Sequence, residues 1–424
     1  MRAKLIALIA LGCSSPLEKA GPEGSTSLDD TGSAVDCSDR NYTVPSTRGE
    51  VSGVWDAEQS RFVFFGGDEG TPIGCIPKPE FVSEVWAFHT DCENFELVET
   101  TGTGPSPRSR HAVALDARRN QMLVHGGRYR AEESGAYTLY DELWALDLST
   151  DTWTLLAEGG PSPRVTHSIV VADDVLLLYG GNTTSSSTSY LPSKELWSYD
   201  LAGDGGWSGL DGDAEGGKRL FHAATVSEDG ETMYVYGGAD ENALLGPFFD
   251  DLWALDIQTE VWTELHDGGG EAPDGRIWPN LVYVGPHTDD YGNEVLEHLL
   301  LWAGHDDQAL GNTNQLWDFD LTYNTWTELQ HGDVYQSPAY GFCDFPADFT
   351  APDLSAPERR YAGAAVLSDE ALLIFGGKTD CGQVNDLWSW DLDDQSWTER
   401  SAATFGEICA RTFADPENCE SLCF

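Results

Sequence analysis

Six arginines recur at one position of a repeating sequence: Arg48, Arg108, Arg164, Arg219, Arg276 and Arg360 each stand just before an apolar segment. They are six of the 17 arginines in a chain whose net charge is −49. A guanidinium presents its donors in a planar fork that matches a carboxylate through two bonds at once. Six such groups gathered in one place would form a positive well for an acidic ligand. Alternatively, each Arg pairs with an Asp or Glu and braces a turn of its own repeat. The sequence leaves both readings open.

Other chemistry-bearing patterns are weaker. His111, His167 and His222 follow three of these arginines by three residues. Zinc or copper needs donors near ~2 Å, and equivalent positions on separate repeats stand too far apart for that. Packing or hydrogen bonding is the expected role, with no metal site. Asp211, Asp213, Glu215 and Gly216 start like a calcium loop, but the twelfth position is His222 where such a loop needs a bidentate Glu. An acidic turn is expected there. The chain contains no Gly-x-Ser-x-Gly, His-Glu-x-x-His or phosphate-cradling glycine loop. No catalytic residue and no cofactor is therefore assigned.

The elements that carry these residues occur six times. An apolar strand ending in glycine closes at Gly67, Gly127, Gly181, Gly238, Gly304 and Gly377. A second strand is centred on Trp86, Trp144, Trp197, Trp253, Trp317 and Trp388, and a further aromatic follows at Phe95, Trp153, Trp207, Trp262, Trp326 and Trp397. Motifs in fixed order at a period above ~50 residues mean one supersecondary unit repeated. In the second copy the pattern predicts strands over His111–Asp116, Gln121–His125, Asp141–Asp147 and Thr152–Leu156, called A to D. Alternation in strand C puts Leu143 and Ala145 on one face and Trp144 and Leu146 on the other. Both faces are apolar, as in a sheet packed between two neighbours, so the Trp rows are read as core. The glycines end strand B in backbone conformations that a side chain disfavours.

This pattern resembles the kelch repeat. The resemblance implies an all-β, six-bladed kelch-type β-propeller with four antiparallel strands per blade. It also implies that strand A is innermost, so the six arginines would encircle the channel mouth on the face where B-to-C and D-to-A loops open. Glycine spacings of 60, 54, 57, 66 and 73 residues place the extra length in such loops: residues 68–81, 128–140, 182–193, 239–249 and about 330–357. An exposed apolar loop tip, such as 244–249, would favour a protein partner. Blade 5 departs from the pattern with Ala303-Gly304 and an insertion near 285–297, and blade 1 with Phe95. Which terminus closes the ring is not legible. Kelch copper oxidases have more blades and a Cys-linked Tyr with His ligands, a set that cannot be picked out here.

The expected organisation is a lipoprotein-type signal peptide over 1–13, a flexible acidic, Ser- and Gly-rich linker over 14–40, the propeller over 41–400 and a Cys-rich cap over 401–424. Arg2 and Lys4 precede the apolar run from Leu5 to Leu11, which is too short to span a bilayer. Ala10-Leu11-Gly12-Cys13 resembles a bacterial lipoprotein box, with Ala10 where that box prefers Leu. Lipidation at Cys13 and export are expected, placing the protein on the bacterial outer membrane, cell surface or periplasm and on the membrane only through its anchor. The remaining cysteines, Cys37, Cys75, Cys92, Cys343, Cys381, Cys409, Cys419 and Cys423, form an even set suited to disulfides. A pairing that fits is Cys75–Cys92, Cys343–Cys381 and Cys37 with the C-terminal cluster. The acidic surface repels nucleic acid and anionic lipid. A monomeric binding protein for a protein or acidic glycan is expected, with a sialic-acid-type sugar isomerase as the alternative.

Overall fold

The computed structural model describes residues 37, 43–70, 72–73, 76–77, 79–132, 134–210, 216–243, 245–306, 311–332, 355–379 and 382–404. Each repeat folds into its own antiparallel sheet, and six sheets form a β-propeller. Blade 2 comprises strands A to D at Ala112–Asp116, Gln121–His125, Leu143–Asp147 and Thr152–Ala157. The expected starts of A and C are thus one and two residues too early. The six A strands, Ser52–Asp56, Ala112–Asp116, Ser168–Ala172, Ala223–Val226, Asn280–Val284 and Ala364–Leu367, each pack on the next around the channel.

Alternation decides what each blade touches. Trp144 and Leu146 pack with Val54, Val63 and Phe65 of blade 1, whereas Leu143 and Ala145 pack with Ile169, Leu176 and Leu178 of blade 3. A strand with two buried faces has no solvent side, which is why the sequence shows apolar residues on both. Phe95 takes its place in the blade 1 core at 3% exposure, so the lost Trp leaves the packing intact.

The ring closes without a shared latch strand. Blade 1 supplies all four of its own strands, and so does blade 6, whose sheet adds the short segment Arg360–Tyr361 as a fifth. Closure uses the bonds found at every other blade contact. The Gly377 N–H donates to the Arg48 carbonyl at 2.9 Å and the Arg48 N–H to the Val384 carbonyl at 3.1 Å. Phe64 stacks on Phe375 with ring centroids 4.2 Å apart.

The disulfide expectation is corrected in part. Cys92 bonds to Cys37, with Cα atoms 5.9 Å apart, and not to Cys75. Cys92 lies in the C-to-D turn of blade 1, and the bond ties the segment before the propeller to it. This also removes the expected link from Cys37 to the C-terminal cluster. Cys13, Cys75, Cys343, Cys381, Cys409, Cys419 and Cys423 lie outside the described residues, as do Asp211–Glu215, the signal peptide and most of the linker and cap.

Candidate functional site

The six arginines sit at equivalent places and do not converge on the channel. All are 0–2% exposed, and each guanidinium turns back into its own blade. Arg108 donates to the Ser106 carbonyl at 3.0 Å, the Gly126 carbonyl at 3.0 Å and Glu142 Oε2 at 2.7 Å. The same set recurs with Glu84 for Arg48, Glu195 for Arg164, Asp251 for Arg219 and Asp386 for Arg360. In blade 5 the neutral Gln315 takes the acid's place beside Arg276. The acid also accepts the indole N–H of the Trp two residues on, as Glu142 does from Trp144 at 3.1 Å. The bracing alternative is the one that this geometry matches. The signal for it was present in the sequence, as the Glu or Asp two residues before five of the six Trp.

Each Arg also stitches two blades through its backbone. The N–H of the second glycine of a blade donates to the carbonyl of the next blade's Arg, from Gly67 to Arg108 at 3.0 Å and from Gly127 to Arg164 at 3.0 Å. The first glycine leaves room for the imidazole that follows: a side chain on Gly126 would meet His167 Cε1 at 2.7 Å and one on Gly180 would meet His222 Cε1 at 2.9 Å. The histidines therefore stand between blades. His167 accepts from or donates to His125 at 2.9 Å. Burial, reinforced by neighbouring arginines, pushes His111, His125 and His222 down to about 3. Among the described residues no group of three His, Cys, Asp or Glu could hold a metal.

The channel mouth is formed by other residues. Two places beyond each Arg lie Glu50, Arg110, Thr166, Phe221, Trp278 and Ala362, all at φ between 52° and 60°. Side chains rarely adopt that region. In five of the six it aims the N–H at the preceding blade: for example, Glu50 donates to the Ala362 carbonyl at 2.7 Å, Thr166 to Arg110 at 3.1 Å and Trp278 to Phe221 at 2.8 Å. A second set follows each glycine pair, with Asp68, Arg128, Asn182, Ala239, His305 and Lys378, and pairs by backbone bridges with the segment after the Arg. These twelve positions differ from blade to blade, whereas the Arg, Gly and Trp positions hardly change.

Blades 6, 1 and 2 make a charged sector. Glu50, 5% exposed, receives Arg110 at 2.8 Å, Arg128 at 3.0 Å, Lys378 at 3.0 Å and the Ser109 hydroxyl at 2.7 Å. Burial would raise the Glu50 carboxyl, but the three cations outweigh it and hold it well below the usual range. Burial and the adjacent Arg110 press the Arg128 pKa down. Arg128 and Arg130 both lie over the Tyr137 ring, at 4.2 and 4.3 Å from its centroid. Blades 4 and 5 make an aromatic sector, where Phe221 and Trp278 have ring centroids 3.9 Å apart with Arg110 over both. Beneath them the A strands of all six blades line a cavity of about 210 Å³. On the same loop face Leu191 and Leu245 are 58% and 79% exposed, while Phe248 is buried.

Comparison with known proteins fits this anatomy. The KLHDC2/KLHL20/DRC7 Kelch-repeats domain model matches residues 57–292, more than half of the chain. The chain belongs to the kelch-repeat family. Among curated kelch relatives, it is 28% identical over 317 residues to the leucine-zipper-like transcriptional regulator 1 homolog of Drosophila melanogaster, covering 74% of this chain and 28% of that one. It is 30% identical over 234 residues to the Kelch domain-containing protein 2 of Bos taurus, covering 50% and 52%. It is 26% identical over 295 residues to N-(sulfonatooxy)prop-2-enimidothioate sulfolyase of Thlaspi arvense, covering 68% and 75%. The chain thus spans from about a quarter to about half of the length of the first two. The solved structure of YjhT shares the kelch propeller at a TM-score of 0.58 and 16% identity, covering 85% of this chain and 99% of that one.

Proposed function

We propose that this kelch propeller is a binding module whose loop-face mouth takes an acidic group of a protein or glycan ligand, seating an apolar portion against Phe221 and Trp278. The observation that carries the reading is the cluster of Arg110, Arg128, Arg130 and Lys378. In a chain with 23 cations against 72 carboxylates, Arg110, Arg128 and Lys378 gather around the buried Glu50, and Arg130 lies beside Arg128 on the Tyr137 ring. Charge of the rare sign, placed at a channel mouth beside aromatic faces, suits a ligand carboxylate or sulfate. Catalysis by a sugar isomerase would need a proton donor at this place, and Glu50 is held in its ionised form. Export and a lipid anchor at Cys13 belong to the same proposal, because they would present the loop face to extracytoplasmic partners.

Isothermal titration with acidic oligosaccharides and acidic peptides tests it. Binding is expected to weaken at least tenfold in Arg128→Ala and in Arg130→Ala and to persist in Arg118→Ala, whose side chain pairs with Asp173 and Asp174 far along strand A's outer turn. Equal binding in all three variants would remove the mouth from consideration.

A further inference from the structure

Beside the mouth, the B-to-C connections of blades 3 and 4 each present one leucine to solvent. Leu191 is 58% exposed and Leu245 79%, the most of any large apolar side chain among the described residues. Across the six B-to-C connections no other described large apolar side chain stands exposed. Isolated leucines on a surface are ordinary, but these two share one base. Tyr190, next to Leu191, holds its ring centroid 5.8 Å from that of Phe221. Ala243 and Phe248, on either side of Leu245, are buried in one cluster with Phe221 and Ile277.

The backbone beneath both side chains is pinned. The Leu191 N–H donates to Asn182 Oδ1 at 2.8 Å, and the Leu191 carbonyl accepts the Thr183 N–H at 3.1 Å. The Leu245 N–H donates to the Asn242 carbonyl at 2.9 Å, in a turn where Asp240 Oδ1 accepts the Asn242 N–H at 2.7 Å. Covering side chains on a fixed backbone costs little ordering of the loop, so their apolar area goes into binding.

The leucines are continuous with the charged sector. The Tyr137 N–H donates to the Ser185 carbonyl at 2.8 Å, joining the connection that carries Arg130 to the one that carries Leu191. Charge changes sign along this wall. Arg128 and Arg130 lie over Tyr137 at one end, and Asp240 and Glu241 precede Leu245 at the other. A ligand's acid is drawn to the first and repelled from the second, so the leucines meet whatever apolar group accompanies it. An aliphatic tip has neither a ring face to stack on a sugar nor a polar atom for its hydroxyls. We propose that Leu191 and Leu245 make the mouth selective for a protein segment that carries aliphatic side chains a short distance from its acidic ones. This selectivity rests on the mouth as the place of the acid, and adds a requirement that an acidic glycan does not meet.

Blocked dodecapeptides with an Asp-Asp pair and, at each spacing from it, either a Leu-Leu or a Ser-Ser pair are titrated into the full chain, as is oligogalacturonate. At one spacing or more the leucine peptide is expected to bind at least tenfold more tightly than its serine counterpart. The double variant Leu191→Ser with Leu245→Ser, checked for folding by its thermal midpoint, is expected to bring the two peptides to equal affinity. Equal binding of leucine and serine peptides at every spacing would overturn the proposal. So would a leucine preference that survives in the double variant, or oligogalacturonate binding more tightly than every leucine peptide. Arg128→Ala is expected to weaken leucine and serine peptides alike. Failure of that loss overturns the reading of the mouth, whereas failure of the difference between leucine and serine overturns the selectivity alone.

Discussion

Arg108 holds Glu142 and two backbone carbonyls while its own carbonyl receives the N–H of Gly67 in the preceding blade. Removing the side chain leaves the half-buried Glu142 and two backbone carbonyls without their donor, which costs roughly 3 kcal/mol. Arg108→Ala is expected to lose about that much in urea unfolding. Arg108→Lys should recover little of it, because an ammonium cannot span the acid and the carbonyls together. The buried histidines give a second residue-scale expectation. Unfolded, they titrate near 6.5; folded, His111, His125 and His222 titrate at about 3. The unfolded chain therefore binds more protons between those values, so stability is full above pH 6.5 and falls as pH drops toward 3. Each histidine contributes up to about 1.4 kcal/mol per pH unit in that window. His111→Val, with the residue that blade 1 has at Val51, should flatten the slope between pH 6.5 and 4.5 in chemical denaturation. An unchanged slope would mean that His111 is protonated in the fold.

Strands and blades were the most legible level. The glycine pairs and Trp rows repeat because each blade faces the same neighbours, so a requirement imposed six times shows as a period. The mouth has no period. Glu50, Arg110, Phe221 and Trp278 occupy one structural position with unrelated side chains, and only the Arg-plus-two register, known once strand A is placed, brings them together. The arginines show the converse, since their regular recurrence allowed either a shared ligand or a shared brace, and the bonds within each blade match the brace. Repetition within a propeller reports scaffold, and deviation from it reports sites. Disulfide pairing was illegible for a different reason, since it depends on where loops and tails end up in space. Non-reducing peptide mapping is expected to recover a peptide pair joining Cys37 to Cys92. A Cys75–Cys92 pair would restore the pairing read from the sequence.

For the whole molecule, charge is the dominant variable. At −49, self-repulsion opposes the compact state and is relieved by salt. The attraction of an acidic ligand to the mouth is weakened by the same salt. Raising NaCl from 50 to 500 mM should therefore raise the thermal midpoint while lowering affinity for an acidic ligand. Both quantities moving in the same direction would contradict the assigned mouth electrostatics. The proposed lipid anchor is checked separately. Metabolic labelling with palmitate is expected to mark the wild type in the membrane fraction, and Cys13→Ser is expected to be unlabelled and released.

Closure by blade-to-blade bonding, with no strand borrowed across the junction, has a consequence for engineering. Asn385 holds both ends of the ring at once. Its side chain donates to the Pro45 carbonyl at 2.7 Å and accepts from the Thr404 N–H at 2.9 Å. A short linker could therefore join residue 404 to residue 43, and new ends could be opened in any exposed turn between strands, as in a circular permutant. Sequence order would be rewritten while every sheet kept its own four strands. The position at which translation begins is, for this propeller, a convention rather than a structural requirement.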